Sequence, residues 1–419
     1  MRLLYTIFIY IYLMLIKAAA LFSTKAAFWI NGRKNIRNII KSINPTKKEV
    51  AWIHAASLGE FEQGRPLIEE IRKRFPETYI LLTFFSPSGY EIRKNYTGVD
   101  KVLYLPIDTP ANARFFISQI NPAIAVFIKY EYWYNYLHEL NRCNIPVVFI
   151  SAIFRPGQHF FKAYGSWFRT QLKKVDWFFV QHQSSLELLN SIGIQSVTES
   201  GDTRFDRVHS IAQNVKSIPE IAVFKSNKLL LIAGSTWPAD EAVFMEAMSS
   251  FRSQFKIIIA PHEVHADRIV KLMNSCGTNC IRYSEISARD AVTADILIID
   301  NIGILSSIYQ YADFVYIGGG FGKGIHNILE AATFVGPVFF GPNYLKFQEA
   351  KELIKEGGAF SIETASQLKD QISTYINDAS KQKEKASVCR NYVSSHTGAT
   401  GKVMLKVSEV LGQVNSQKS

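Results

Sequence analysis

Two short stretches combine residue types that suit sugar or phosphate chemistry. In His54-Ala55-Ala56-Ser57-Leu58-Gly59-Glu60, small residues and a glycine follow an apolar run at 50–54 and open a helix-length stretch at 60–74. Such a turn is tight and lets the backbone approach a ligand. Glu60 then sits at a helix start, either as a general base at the mouth of a site or as an acid favoured by the helix dipole. The second stretch is Gly318-Gly319-Gly320-Phe321-Gly322-Lys323-Gly324-Ile325-His326-Asn327-Ile328-Leu329-Glu330, after the apolar run 314–317. It lacks the Gly-Lys-Ser/Thr of a P-loop and the Gly-x-Gly-x-x-Gly of a dinucleotide site. A glycine-rich strand-to-helix turn still predicts backbone N–H groups offered to phosphate. Asn327 and Glu330, one helical turn apart, suit the same ligand.

Other candidates carry a functional and a plain reading side by side. Pro261-His262-Glu263-Val264-His265 resembles a metal site, but lacks the His-Glu-x-x-His spacing. In Lys129-Tyr130-Glu131-Tyr132-Trp133-Tyr134-Asn135, Lys129 and Glu131 either orient a polar acceptor or form an ion pair on a solvated edge. Between 158 and 174, Phe160, Phe161, Tyr164, Trp167, Phe168 and Leu172 recur at helical spacing with Lys162, Arg169, Lys173 and Lys174 between them. That stripe reads as core, or as a surface facing lipid or phosphate. No Asp-x-Asp motif is present, and neither metal nor cofactor is expected.

These residues need elements to hold them. Short β-branched or aromatic runs at 50–54, 79–84, 102–105, 124–128, 146–150 and 177–180 alternate with helical stretches at 60–74, 109–119, 132–142 and 183–191. A second series has strands at 229–233, 256–260, 296–299, 314–317 and 338–340. Such alternation marks βαβ units and parallel sheets. The expected organisation is a membrane anchor at 1–24, a basic segment at 25–48 and a Rossmann-like domain at 49–210. A linker at 211–227, a second Rossmann-like domain at 228–382 and a C-terminal helix and tail at 383–419 complete it. Two doubly wound domains with a cleft between them follow, with ligands expected outside the carboxyl ends of the strands.

The 419 residues are 47% hydrophobic and 20% charged, which excludes wholesale disorder. Four cysteines (Cys143, Cys276, Cys280, Cys389) exclude a disulfide scaffold and give no zinc spacing. The net charge of +11 suggests nucleic acid until it is located. Residues 1–48 hold nine cations (Arg2, Lys17, Lys25, Arg33, Lys34, Arg37, Lys41, Lys47, Lys48) and no acid, which leaves the rest at +2. A nearly neutral body argues against nucleic-acid binding. Residues 3–16 carry no charge. They suit an uncleaved anchor, spanning or interfacial, or a cleaved secretory signal ending at Ala18-Ala19-Ala20. The basic segment favours an uncleaved anchor that keeps the following residues on the cytoplasmic side of a membrane and binds anionic headgroups.

Taken in order, the motifs resemble the 3-deoxy-D-manno-octulosonic acid (Kdo) transferases of lipopolysaccharide synthesis. The resemblance rests on Ser57–Glu60, Glu131–Asn135, Gly201–Asp206, Pro261-His262, Asp300–Leu305, the stretch 318–330 and Phe339-Phe340-Gly341-Pro342-Asn343 with Phe347. It implies a GT-B fold and an inverting, membrane-associated glycosyltransferase moving Kdo from CMP-Kdo to a lipid A precursor. It further implies that Glu60 is the general base and that Arg204 stands where the family usually has a Lys that steadies the transition state. Nucleotide-sugar contacts map to Pro261, His262, Gly303, Ile304, Leu305, Gly319, Gly320, Asn327, Ile328, Leu329 and Glu330, and acceptor contacts to Ser57, Gly59 and Glu131. The chain departs from the family at Lys129, often Glu, and at His262, Ile304 and Ile328, often Arg, Glu and Pro. Lys129 therefore inherits no catalytic role, and Ile304 offers only backbone and apolar contacts. The rival readings are a GT-B enzyme using a UDP-sugar and a membrane-tethered binding protein.

Overall fold

The structure, a computed structural model, describes residues 1–43, 49–277 and 279–416. Lys47 and Lys48 of the basic segment lie outside the described residues. The chain divides into two compact units, Met1–Asp206 joined by Thr397–Ser419, and Arg207–His396.

The first unit is built on β1 (Val50–Ala55), β2 (Tyr79–Phe84), β3 (Lys101–Tyr104), β4 (Ile124–Ile128), β5 (Val147–Ala152), β6 (Trp177–Val180) and β7 (Val197–Glu199). They form one parallel sheet in the order β3-β2-β1-β4-β5-β6-β7. Every residue of β1, β4 and β5 is buried, as it must be where helices cover both faces of a parallel sheet. This burial explains why these strands read as continuous apolar runs. Helices α1 (Arg2–Ala19), α2 (Thr24–Asn31) and α3 (Ile36–Ser42) precede β1 in the chain, and α4 (Leu58–Arg74) follows it.

The second unit carries β8 (Leu229–Thr236), β9 (Phe255–Pro261), β10 (Cys280–Arg282), β11 (Ile296–Ile298), β12 (Phe314–Ile317), β13 (Val338–Phe340) and β14 (Ala359–Ser361). These are again parallel, in the order β10-β11-β9-β8-β12-β13-β14. Winding reverses between β1 and β4 in one unit and between β8 and β12 in the other. The turns after those strands are the places where doubly wound sheets bind ligands. Ser57–Glu60 follows β1 and Glu131 follows β4, while Trp237 follows β8 and the glycine stretch follows β12.

Four expectations change. The supposed linker at 211–227 holds a helix, Pro219–Lys225, whose Ile221 and Phe224 are fully buried, and the second unit begins at Arg207. The C-terminal segment at 383–419 is divided: the helix Ala379–Ser395 stays with the second unit, and Ala399–Ser416 belongs to the first. There Val403, Met404, Val407 and Leu411 are fully buried in its core. Edge strands β7, β10 and β14 have three residues each, too few to show a pattern in sequence. The stripe at 158–174 is two 3-10 turns followed by the helix Ser166–Leu172, not one helix. Phe160 and Leu172 are core, whereas Trp167 packs on Tyr134 and forms a bed for Tyr5 of α1.

Helix α1 lies along the first unit. Thr6 and Ile9 are buried, Arg2 Nε donates to Asn135 Oδ1 (3.0 Å) and the Tyr5 hydroxyl donates to Asp108 (2.5 Å). Its other face leaves Leu3, Leu4, Ile7, Phe8, Ile11, Met14 and Leu15 exposed. It is the one helix among the described residues long and apolar enough to cross a membrane.

Candidate active site

In the first unit, Ser57 ends the turn after β1 as the N-cap of α4, and Gly59 and Glu60 occupy that helix's first turn. The Ser57 hydroxyl donates to the Glu60 carboxylate, which fixes its orientation, and Glu60 is half-buried beside Tyr130. Glu131 arrives from the turn after β4. It accepts a hydrogen bond from Trp133 Nε1 (2.9 Å) and lies 3.4 Å from His54 Nε2. His54 is fully buried and is held from the other side by the Thr83 hydroxyl at 2.8 Å. Thr83 in turn accepts from Trp52 Nε1 (2.8 Å). Glu131 is thus no free ion pair on an edge. It terminates a chain of hydrogen bonds rooted in the core.

Arg204, in the first turn of the helix Thr203–Gln213, grips Asp202. Its Nε and Nη2 lie 2.9 and 2.8 Å from Asp202 Oδ2, and its backbone N–H donates to Oδ1. Gln63 of α4 and Gln181 also donate to Asp202. Burial pushes the Asp202 carboxyl up, but the Arg204 charge and hydrogen bonds, with Lys129 nearby, outweigh it and hold it below the usual range. Asp202 therefore ties Arg204 to the helix that carries Glu60. Lys129 takes a left-handed backbone conformation (φ +62°) at the end of β4 and contributes charge here.

The second unit holds the glycine stretch differently from a simple strand-to-helix turn. The helix after it, Leu329–Ala332, has only four residues and starts twelve positions beyond the end of β12. Gly318, Gly319, Phe321, Gly322, Gly324 and His326 all donate their backbone N–H within the unit, Gly319 and Phe321 to the buried Asp240. These N–H groups are consequently not offered to phosphate. The glycines serve close packing instead: a Cβ on Gly318 would meet the Ser235 carbonyl at 2.3 Å, and one on Gly320 the Gly341 nitrogen at 2.4 Å. Asn343 staples the loop, its N–H to Gly320 O and its amide to Gly322 O, both at 2.9 Å.

What the loop does present is His326 and Asn327. Trp237 Nε1 donates to His326 Nε2 (3.0 Å), and the His326 and His262 rings stack with centroids 4.2 Å apart. Trp237 also stacks on His262, with ring centroids 5.0 Å apart. Burial, and then His262, push His326 down to about 4, while burial also lowers His262. Both rings are therefore neutral near pH 7. Pro261 closes β9 beside them, and His265 turns away to cap the helix Ala266–Cys276, so His262 and His265 do not converge on a metal. Asn327 Nδ2 donates to Glu330 Oε1 (2.9 Å), and Asn327 Oδ1 accepts from Leu329 N, with Ile328 and Leu329 buried beneath. Gly303 has φ +109° with open space at its Cβ position, and Ile304 and Leu305 start the helix Leu305–Ile308. Glu330 acts electrostatically on Tyr309, which follows that helix, so the segments 303–305 and 327–330 share one neighbourhood. His54, Asp202, Trp237, Asp240 and His326 were not singled out from sequence. Their one signal was position within or beside turns that follow strands.

Residues 33–207 match the family described as 3-deoxy-D-manno-octulosonic-acid transferase (kdotransferase). A 3-deoxy-D-manno-octulosonic acid transferase of Rickettsia bellii is 27% identical over 84% of this chain and 86% of its own. One of Aquifex aeolicus is 25% identical over 79% and 87%. Among solved structures, a UDP-GlcNAc 2-epimerase from Neisseria meningitidis superposes with a TM-score of 0.60 at 12% identity, covering 86% of this chain and 100% of that one. A glycosyltransferase from Rickettsia africae gives 0.57 at 14%, covering 87% and 99%. At such identity these two establish the GT-B fold alone. Sequence relationship and fold agree with the motifs that follow the switch-point strands: the chain is a glycosyltransferase similar to the Kdo transferases, whose family it matches over residues 33–207.

Proposed function

We propose that the protein transfers Kdo from CMP-Kdo to the glucosamine disaccharide of a lipid A precursor (lipid IVA), with inversion and without a metal. The observation that carries this reading is Glu60, held by Ser57 at the start of α4 where the winding of the first sheet reverses. Glu60 takes the proton of the acceptor hydroxyl as that oxygen attacks the anomeric carbon and CMP departs. A positioned base contributes about 10²–10⁴-fold. Arg204 steadies developing negative charge. In the second unit, His262 and His326 donate toward the phosphate, and Asn327 and Glu330 bind the ribose end. Glu131, rigidified through His54 and Trp133, orients the acceptor.

Helix α1 fits an interfacial anchor better than a spanning one, because one face is already docked on the first unit while the other is bare and apolar. The basic residues that follow it favour an anionic, cytoplasmic-side membrane surface. Mass spectrometry of the lipid made by purified protein with CMP-Kdo is expected to show added Kdo, and UDP-GlcNAc is expected to give none. Glu60→Gln should lower kcat by about 10²–10⁴-fold and leave CMP-Kdo binding intact; near-normal turnover would remove Glu60 as the base.

A further inference from the structure

The carboxyl edge of the first sheet carries a second feature. A cavity of about 320 Å³ opens where the link between α2 and α3 meets the turn after β3. Arg33, Lys34, Asn35, Arg37, Asn38 and Asn112 supply its polar lining, and no acidic side chain lines it. Arg33 is only 8% exposed. Its guanidinium donates to the carbonyls of Leu105 (2.9 Å), Trp29 (3.0 Å) and Phe85 (2.7 Å), and lies over the rings of Trp29 and Tyr104. Among the described residues no carboxylate pairs with it, and burial pushes its pKa down to about 9. A buried cation without a counter-ion makes the adjoining cavity electropositive.

The exposed cations are partly pre-set as well. Arg37 Nη2 donates to Asn112 Oδ1 (3.0 Å), and Asn112 is held by Thr109 Oγ1 and the Ile107 carbonyl. Guanidinium and ammonium groups beside amides, with no competing acid, form a donor set suited to phosphate. Location narrows the choice. Strands β3, β2 and β1 are neighbours in that order, so the turn after β3 lies two strand spacings, about 10 Å, from the turn that holds Glu60. That is about the length of a disaccharide. The cavity-lining segment begins two residues after α2, whose Phe28 is exposed, close in sequence to the bare Leu21 and Phe22.

We propose that this cavity is the subsite for a phosphate group of the acceptor lipid, placed one disaccharide from the base. The proposal rests on the acceptor assigned above. A loose phospholipid headgroup offers the same chemistry, and the test separates the two. Steady-state transfer is measured with the phosphorylated acceptor and with the same lipid after phosphatase treatment. The comparison covers the wild type, the double variant Lys34→Ala/Arg37→Ala, and Lys17→Ala/Lys25→Ala, which removes equal charge elsewhere.

The expected result is that the wild type has a KM about tenfold or more lower for the phosphorylated acceptor. The cavity variant should lose that difference, with kcat and the CMP-Kdo KM retained, while the control pair keeps it. Wild-type discrimination in the cavity variant overturns the proposal. So does a variant whose only defect is weaker co-sedimentation with phosphatidylglycerol vesicles, since that marks a headgroup site. If the wild type transferred Kdo to neither lipid, the assigned reaction would fail by itself. Calorimetric titration of both proteins with the phosphorylated acceptor would still read the subsite, by loss of binding in the variant or by its persistence.

Discussion

At the residue scale, the arrangement of Trp237, His326 and His262 fixes a proton. Because Trp237 Nε1 donates to His326 Nε2, that nitrogen must carry the lone pair, and the ring's hydrogen sits on Nδ1. The neutral His326 ring then carries its one N–H at Nδ1. Its pKa is lowered in the fold to about 4, so the unfolded chain takes up a proton near pH 6.5 that the folded one refuses until about pH 4. The stability linked to this group is fully present above pH 6.5 and is lost as pH falls toward 4. Nitrogen-15 NMR is expected to show His326 as the neutral Nδ1–H tautomer down to about pH 4. Trp237→Phe keeps an aromatic ring against His262 but removes the donor. It should shift the proton toward Nε2 and raise the KM for the proposed donor, CMP-Kdo, by about tenfold, the worth of one hydrogen bond of about 1.4 kcal/mol. An unchanged tautomer in the variant would contradict this role. None of it was visible in sequence, where Trp237 and His326 are 89 positions apart. Glu60 was legible because a carboxylate after small residues at a helix start needs no distant partner to be noticed.

At the element scale, Asp206 has a clear structural task. It stands in the first turn of the helix Thr203–Gln213 and accepts from the backbone N–H of Gly398 and Thr400 and from the Thr400 hydroxyl. In doing so it caps the returning helix Ala399–Ser416, whose buried face completes the core around β1, β2 and β4. Asp206→Ala should destabilise the first unit by about 1–2 kcal/mol, as loss of a cap does. Limited proteolysis should then release the C-terminal helix before the sheet is cut, and a wild-type protection pattern would count against the clip. The central strands were legible from their apolar runs, since burial on both faces leaves little freedom in residue choice. The clip was not legible, because 192 residues separate Asp206 from Gly398. The glycine loop shows a related limit. Its composition announced a tight turn, and only the tertiary structure showed its N–H groups engaged by Asp240 and neighbouring carbonyls.

At the scale of the whole molecule, the N-terminal helix carries the membrane contact proposed above. Ile7, Phe8 and Ile11 lie on the bare face of α1, opposite the docked Thr6 and Ile9. Changing all three to Ser should weaken vesicle binding by about two orders of magnitude or more, since each buried apolar side chain contributes about 1.5–3 kcal/mol. Co-sedimentation with vesicles checks the loss of binding, and thermal unfolding followed by circular dichroism should barely differ from the wild type. A loss of folding instead would mean that this face packs inward. The sequence by itself determined the parallel two-unit architecture, the charge confined to one end and the order of the motifs. Each of these follows from local composition and periodicity, which neighbours in the chain impose on one another. The tertiary structure alone decided that α1 lies along the first unit, that the last helix returns to it, that His326 is neutral with a directed proton, and that Arg33 is buried without a counter-ion. Those facts depend on desolvation and on partners far away in the chain, and neither is encoded in the spacing of residues along it.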